Sequence, residues 1–178
     1  MLEGKNVNLR VLEKEDLPLL ADWYNNPELL SEYTWLPQYS RTEREKWYDS
    51  LPPDAKFFFV ERKNGTKIGT ISHFPAGKIL EIGYVMIPNA RGKGYCTEAV
   101  KMMVDYLFLS RNIVRIQAHT DVKNIGSQRV LEKAGFTKEG VLRKSLFTRG
   151  EWRDNTIFSI LREEWKEPKI LTKTASET

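Results

Sequence analysis

The stretch Ile87-Pro88-Asn89-Ala90-Arg91-Gly92-Lys93-Gly94-Tyr95-Cys96-Thr97-Glu98-Ala99 joins a predicted strand to a predicted helix through a glycine-rich turn. Residues 79–87 have the pattern of a strand, and apolar residues recur at helical spacing from the turn as far as Ser110. A helix that begins directly after such a turn directs its free backbone N–H groups, and the positive end of its dipole, at an anion. The sequence therefore predicts a phosphate or pyrophosphate site at this turn.

The residues of the turn are suited to an anion. Gly92 and Gly94 let the backbone approach a ligand without a Cβ in the way, and Arg91 and Lys93 add positive charge. Two familiar phosphate loops do not fit, because a P-loop needs Ser or Thr where Gly94 stands, and a dinucleotide fingerprint needs glycine where Thr97 stands. A plain strand-to-helix turn without a ligand remains an alternative.

The rest of the chain supplies the order strand, two helices, three strands, helix, strand, helix, two strands. The first helix is expected to be capped by Asp16 and to end at Asn25. The other predicted helices span 42–50, 94–110 and 127–134, and the predicted strands span 7–12, 57–60, 68–74, 79–87, 114–118, 137–147 and 154–161. A strand–helix–strand unit within a mostly antiparallel series indicates a mixed α/β (α+β) sheet. We expect one domain over 1–166 and a disordered tail over 167–178.

Composition sets the broad class. With 178 residues, 40% of them hydrophobic, the chain is long enough for one well-filled core. The net charge is +4, but acidic and basic residues are interspersed, which disfavours a nucleic-acid surface. There is no apolar run of about 18 residues and no signal-like start, so we expect a cytoplasmic protein without a membrane partner. His73 and His119 lack metal-ligand spacing, so no metal is expected.

Two segments resemble a known family. Arg91-Gly92-Lys93-Gly94-Tyr95-Cys96 resembles the R/Q-x-x-G-x-G/A signature of the GNAT acetyltransferases, departing at Cys96, where glycine or alanine is usual. Residues 124–136 are similar to the N-x-x-S…EKxGF segment of the RimJ/RimL branch, and residues 150–154 and 161–165 to its C-terminal hairpin. The resemblance covers about residues 3–165.

The resemblance implies the GNAT fold, a central, mostly antiparallel seven-stranded sheet flanked by about four helices. It implies acetyl-CoA as co-substrate and an amine as acceptor. The residues it assigns to acetyl-CoA are Val85, Met86, Ile87, Arg91, Gly92, Lys93, Gly94, Tyr95, Cys96, Thr97, Asn124 and Ser127. A nucleophilic role for Cys96 is disfavoured, because no His or Asp accompanies it.

Two residues are candidates for catalysis. Glu81 stands where some family members carry a catalytic glutamate, and alternation puts it on one face with Val85. An apolar setting there would raise its pKa and suit it to proton removal, whereas the alternative is a surface carboxylate without a role. Ser127 is the candidate donor to the leaving thiolate, because Leu131 stands where many members have a tyrosine. Asn124 either binds coenzyme A or caps its helix.

The acceptor amine is the least determined part. Tyr33, Trp35 and Glu81 are weak candidates for its binding site. A protein N-terminus of the ribosomal-protein type is the first expectation, and a small amine (polyamine, amino acid or antibiotic) is the second. The branch also suggests a homodimer. Two rival classes stay open, a non-catalytic CoA-binding sensor and a nucleic-acid-binding protein.

Overall fold

A computed structural model describes residues 1–77, 79–166, 168 and 170, which form eight strands and four α-helices. The strands are β1 (Leu2–Glu3), β2 (Val7–Val11), β3 (Lys56–Arg62), β4 (Lys67–Ala76), β5 (Ile79–Met86), β6 (Arg115–Asp121), β7 (Thr137–Thr148) and β8 (Glu151–Leu161). The helices are α1 (Leu17–Asn25), α2 (Arg41–Asp49), α3 (Tyr95–Ser110) and α4 (Ile125–Lys133).

All eight strands form one mixed sheet in the order β1-β2-β3-β4-β5-β6-β8-β7. Every neighbouring pair is antiparallel except β5 and β6, which are joined through α3 and run parallel. This confirms the predicted mixed, mostly antiparallel sheet. The strand beyond the expected seven is β1, whose two residues pair with β2 and are too few to produce an alternating pattern.

Alternation along the strands divides the core into two layers. Phe58 and Val60 of β3 lie in the larger cluster, which includes Met103 of α3 and Leu131 of α4. Phe59, between them, lies on the opposite face, in the smaller cluster packed by residues of α1 and α2. The sheet is therefore covered by α3 and α4 on one face and by α1 and α2 on the other.

One local prediction was wrong. Asp16 makes no side-chain hydrogen bond to α1. Its carboxylate accepts instead from the Arg10 guanidinium, at 2.7 and 2.9 Å, and from the backbone N–H of Glu13, at 3.0 Å. A charged partner on β2 competes successfully with the helix N–H groups for the carboxylate, because charge-assisted hydrogen bonds are stronger than neutral ones.

The predicted disordered tail falls largely outside the described residues, at 167, 169 and 171–178. Within it, the Ile170 N–H donates to Asp105 Oδ2 on α3 at 3.0 Å. Among the described residues, no helix is both long enough and apolar enough to span a membrane.

Candidate active site

The central feature of the sheet is a gap between its two parallel strands. β5 and β6 pair at only two positions, Leu80 with Ile116 and Glu81 with Gln117. Both strands then continue, β5 to Met86 and β6 to Asp121, without pairing to each other. The strands therefore separate beyond Glu81, and the gap leaves backbone groups of β5 open to a ligand.

The hydrogen-bond ladder determines which groups of β5 face this gap. The Ile87 N–H donates to Ile68 O at 3.1 Å, towards β4. Because successive residues of an antiparallel strand alternate in direction, the N–H of Val85 also points to β4, and those of Tyr84 and Met86 point towards the gap. The sequence led us to expect a backbone N–H donor near Val85. The N–H groups that face the gap are those of Tyr84 and Met86, the residues on either side of it.

The glycine-rich turn lies at the end of β5 and opens α3. Gly92 and Gly94 have φ of 72° and 82°, in the left-handed region, and a Cβ at either would meet nothing within 4 Å. Gly94 is the N-cap of α3, which no side chain caps. The first N–H groups of this 16-residue helix are therefore available, and the turn leaves room for an anion beside them.

The two basic residues of the turn differ in what they do. Arg91 donates to the backbone oxygens of Met86, at 2.9 Å, and Leu29, at 3.1 Å. Burial lowers its pKa. Arg91 therefore braces the turn against β5 and the α1–α2 connection, whereas Lys93 is exposed and can meet a phosphate directly.

Glu81 lies in a polar setting formed by side chains of β6. Its Oε2 accepts from Gln117 Nε2 at 2.8 Å and lies 3.0 Å from His119 Nδ1. The Glu81 side chain is 18% exposed and that of His119 is 23% exposed. The sequence pattern does not indicate this contact, because the register that brings His119 to Glu81 is a property of the folded sheet.

A tyrosine does stand beside Ser127, although not at position 131. Tyr84, on β5, places its Oη 2.8 Å from Ser127 Oγ and 3.3 Å from Ser127 O. Burial raises the pKa of Tyr84, so the phenol stays protonated and can donate. The phenol that Leu131 does not supply therefore comes from the sheet rather than from the helix.

Asn124 and Cys96 are two further residues predicted to belong to the site. Asn124 Oδ1 accepts from the Ser127 N–H at 3.1 Å, so Asn124 caps α4, which begins at Ile125, two residues before the predicted start. Burial raises the pKa of Cys96 to about 12. Cys96 is therefore a neutral thiol at ordinary pH, which disfavours a nucleophilic role.

The connection between α1 and α2 contacts the turn between β7 and β8 and the loop between β6 and α4. Arg149, at the turn between β7 and β8, donates to Thr34 O at 3.2 Å and Ser31 O at 3.1 Å. The Tyr33 hydroxyl donates to Lys123 O at 3.1 Å. Trp35 remains 49% exposed, so its indole is open to a ligand, whereas the Tyr33 hydroxyl is already bonded.

Fold and site together define an acyltransferase that uses a CoA thioester. The model of the acetyltransferase (GNAT) domain matches residues 6–137, and the chain belongs to this family of N-acetyltransferases, whose domain binds acetyl-CoA. Probable N-acetyltransferase YjcK of Bacillus subtilis is 33% identical over 181 residues, covering 92% of this chain and 98% of the relative.

Two other relatives differ in what their names describe. The crystal structure of spermidine N-acetyltransferase from Vibrio cholerae with CoA and spermine superposes with a TM-score of 0.80 at 27% identity, covering 89% of this chain and 97% of that one. Putative ribosomal N-acetyltransferase YdaF of Bacillus subtilis is 25% identical over 178 residues, covering 93% of this chain and 97% of the relative.

Proposed function

We propose that this protein transfers the acetyl group of acetyl-CoA directly to a small primary amine in the gap between β5 and β6. One observation carries the proposal: the parted strands have a proton-handling pair on each face. Glu81 and His119 form the pair on the α1–α2 face, and Tyr84 and Ser127 form the pair on the α4 face.

Direct transfer needs a deprotonated amine, a polarised carbonyl and a stabilised leaving thiolate. Glu81, with its partner His119, is the candidate for the first task. The gap-facing N–H groups of Tyr84 and Met86 are candidates for the second. Ser127 is the candidate for the third, with the neutral Tyr84 phenol as its hydrogen-bond partner. No covalent intermediate on the protein is required.

Binding of acetyl-CoA is assigned to the elements that border the gap. The turn at Gly92 and Gly94, together with the first turn of α3, would hold the pyrophosphate. Of the two gap-facing N–H groups of β5, the one that does not polarise the carbonyl would bond to the pantetheine arm, together with Asn124 at the start of α4. The thioester would then lie between the two proton-handling pairs.

The relatives move the preferred acceptor from a protein N-terminus to a small amine. The Vibrio cholerae enzyme is named for spermidine and was crystallised with spermine, and a protonated amine suits an exposed aromatic ring such as Trp35 and a carboxylate such as Glu81. The name of YdaF keeps a ribosomal-protein N-terminus as the second candidate. Membership of the RimJ/RimL branch and a homodimer stay predictions.

The test is a panel of acceptors in an assay of thiol release from acetyl-CoA. Spermidine, single amino acids and amine antibiotics represent small amines, and short peptides with ribosomal-protein N-termini represent the second candidate. We expect turnover with a small amine at least ten times that with any peptide. Turnover with peptides alone would support the second candidate, and binding of acetyl-CoA without turnover on any amine would favour the sensor.

A further inference from the structure

The contact between Glu81 and His119 favours one tautomer of the imidazole ring. An ionised carboxylate only accepts hydrogen bonds, so a neutral ring whose Nδ1 lies 3.0 Å from Glu81 Oε2 is expected to carry its hydrogen on Nδ1. In the neutral ring the lone pair is then on Nε2. Among the described residues, Nε2 makes no hydrogen bond.

A second residue of β6 holds the Glu81 carboxylate in place beside His119. Gln117 donates to the same Oε2 at 2.8 Å, and Glu81 and Gln117 form the last paired position of β5 and β6. Because Gln117 holds Oε2 next to Nδ1, the carboxylate is well placed to orient the ring beside it. Glu81 therefore behaves as the partner of His119.

His119 stands where the two strands have parted. It lies two residues beyond Gln117 on β6, on the same face as Glu81 by alternation, and its side chain is 23% exposed. The other charged groups of β6 on this face are both paired, Arg115 with Glu139 of β7 and Asp121 with Arg153 of β8 at 3.3 Å. Glu81 is thus the carboxylate in direct contact with the ring.

We propose that His119 Nε2 takes the proton from the acceptor amine and that Glu81 positions the ring and stabilises the imidazolium. The inference rests on the proposed function. In this tautomer the Nε2 lone pair of the half-buried ring is free to accept a proton, whereas Glu81 Oε2 already accepts from Gln117.

The proposed acetyl transfer releases one proton to solution overall. The ammonium of the acceptor gives one proton to Nε2, and the ring later releases it to solvent. The free amine forms the C–N bond as the C–S bond breaks. The second proton lost from nitrogen balances the one gained by the departing thiolate, so the products are an amide, a thiol and one proton in solution.

The kinetic test compares His119→Gln and Glu81→Gln with a histidine control, His73→Leu, which changes a fully buried ring on the opposite face of the sheet. We expect His119→Gln to lower kcat by about 100-fold or more, with the Kd for acetyl-CoA unchanged. The fall in kcat on the acid side of the pH profile, its acid limb, should be lost in this variant. Glu81→Gln should lower kcat less and keep that limb. The control should keep both kcat and the limb.

Three results would overturn the inference. The first is a normal kcat in His119→Gln. The second is a larger loss of kcat in Glu81→Gln than in His119→Gln, with the acid limb kept in His119→Gln. The third is a proton on Nε2 rather than Nδ1 in ¹⁵N NMR spectra of the neutral ring. The chain has only two histidines, so their ring signals can be assigned by substitution. A wild-type chain that acetylates no amine would refute the proposed function itself, which is a different outcome from an active wild type with an equally active His119→Gln.

Discussion

Acid sensitivity of the fold is expected from one buried histidine. His73 on β4 is fully buried beside the rings of Phe58 and Tyr106, and among the described residues neither of its ring nitrogens has a hydrogen-bond partner. Burial lowers its pKa from 6.5 to about 4, and the positive charges of Arg111 and Lys56 act in the same direction.

The sign and the size of the effect follow from this shift. Between pH 6.5 and pH 4 the unfolded chain binds a proton at His73 and the folded chain does not, so stability falls as the pH falls, and the loss levels off below pH 4. A shift of this size corresponds to about 3 kcal/mol in all, of which about 2 kcal/mol is lost between pH 7 and pH 5.

The assay is urea unfolding of the wild type and His73→Leu at both pH values. Leucine has nearly the volume of histidine and leaves no unpaired polar atom, so we expect the two proteins to differ by less than about 1 kcal/mol at pH 7. At pH 5 the wild type should have lost about 2 kcal/mol more than the variant. Carboxylates titrate in both proteins and cancel. An equal loss in the two would refute the reasoning.

Three further predictions concern the site. Ser127→Ala and Tyr84→Phe should each lower kcat by about 100-fold in the thiol-release assay, and the double variant should be no worse than the poorer single, because the two hydroxyls act as one pair; losses that add would contradict this. Asn124→Ala removes the cap of α4 and should cost about 1 kcal/mol in urea unfolding, against no change for an exposed alanine substitution such as Lys133→Ala. Arg91→Met leaves two backbone carbonyls without their donors and should cost about 1–2 kcal/mol, a prediction that an unchanged unfolding midpoint would refute.

Local signals allowed the glycine-rich turn between β5 and α3 to be predicted from the sequence. The change from strand to helical periodicity locates the turn, and glycine at 92 and 94 matches the positive φ that both residues adopt. Alternation likewise gives the face of Glu81 on β5. These features depend on a few consecutive residues, so no knowledge of the tertiary structure was needed.

The partners of Glu81 and Ser127 depend on long-range register, which no local pattern encodes. The 16-residue helix α3 separates β5 from β6, and its packing decides which residue of β6 lies beside Glu81. His119 and Gln117 therefore could not be assigned to Glu81 beforehand. Tyr84 was missed for a related reason, since only the position of α4 over the sheet brings Ser127 to it.

The most direct test of the central claim is a calorimetric titration of acetyl-CoA into the wild type, Gly94→Glu and Gly77→Glu. Both glycines have positive φ and open space at Cβ, so the two variants carry similar backbone strain, but Gly77 lies at the other end of β5. We expect micromolar binding by the wild type and Gly77→Glu, and affinity lower by about 100-fold or more in Gly94→Glu, because the new carboxylate faces the pyrophosphate. Equal binding by all three, or none by the wild type at millimolar acetyl-CoA, would contradict the account.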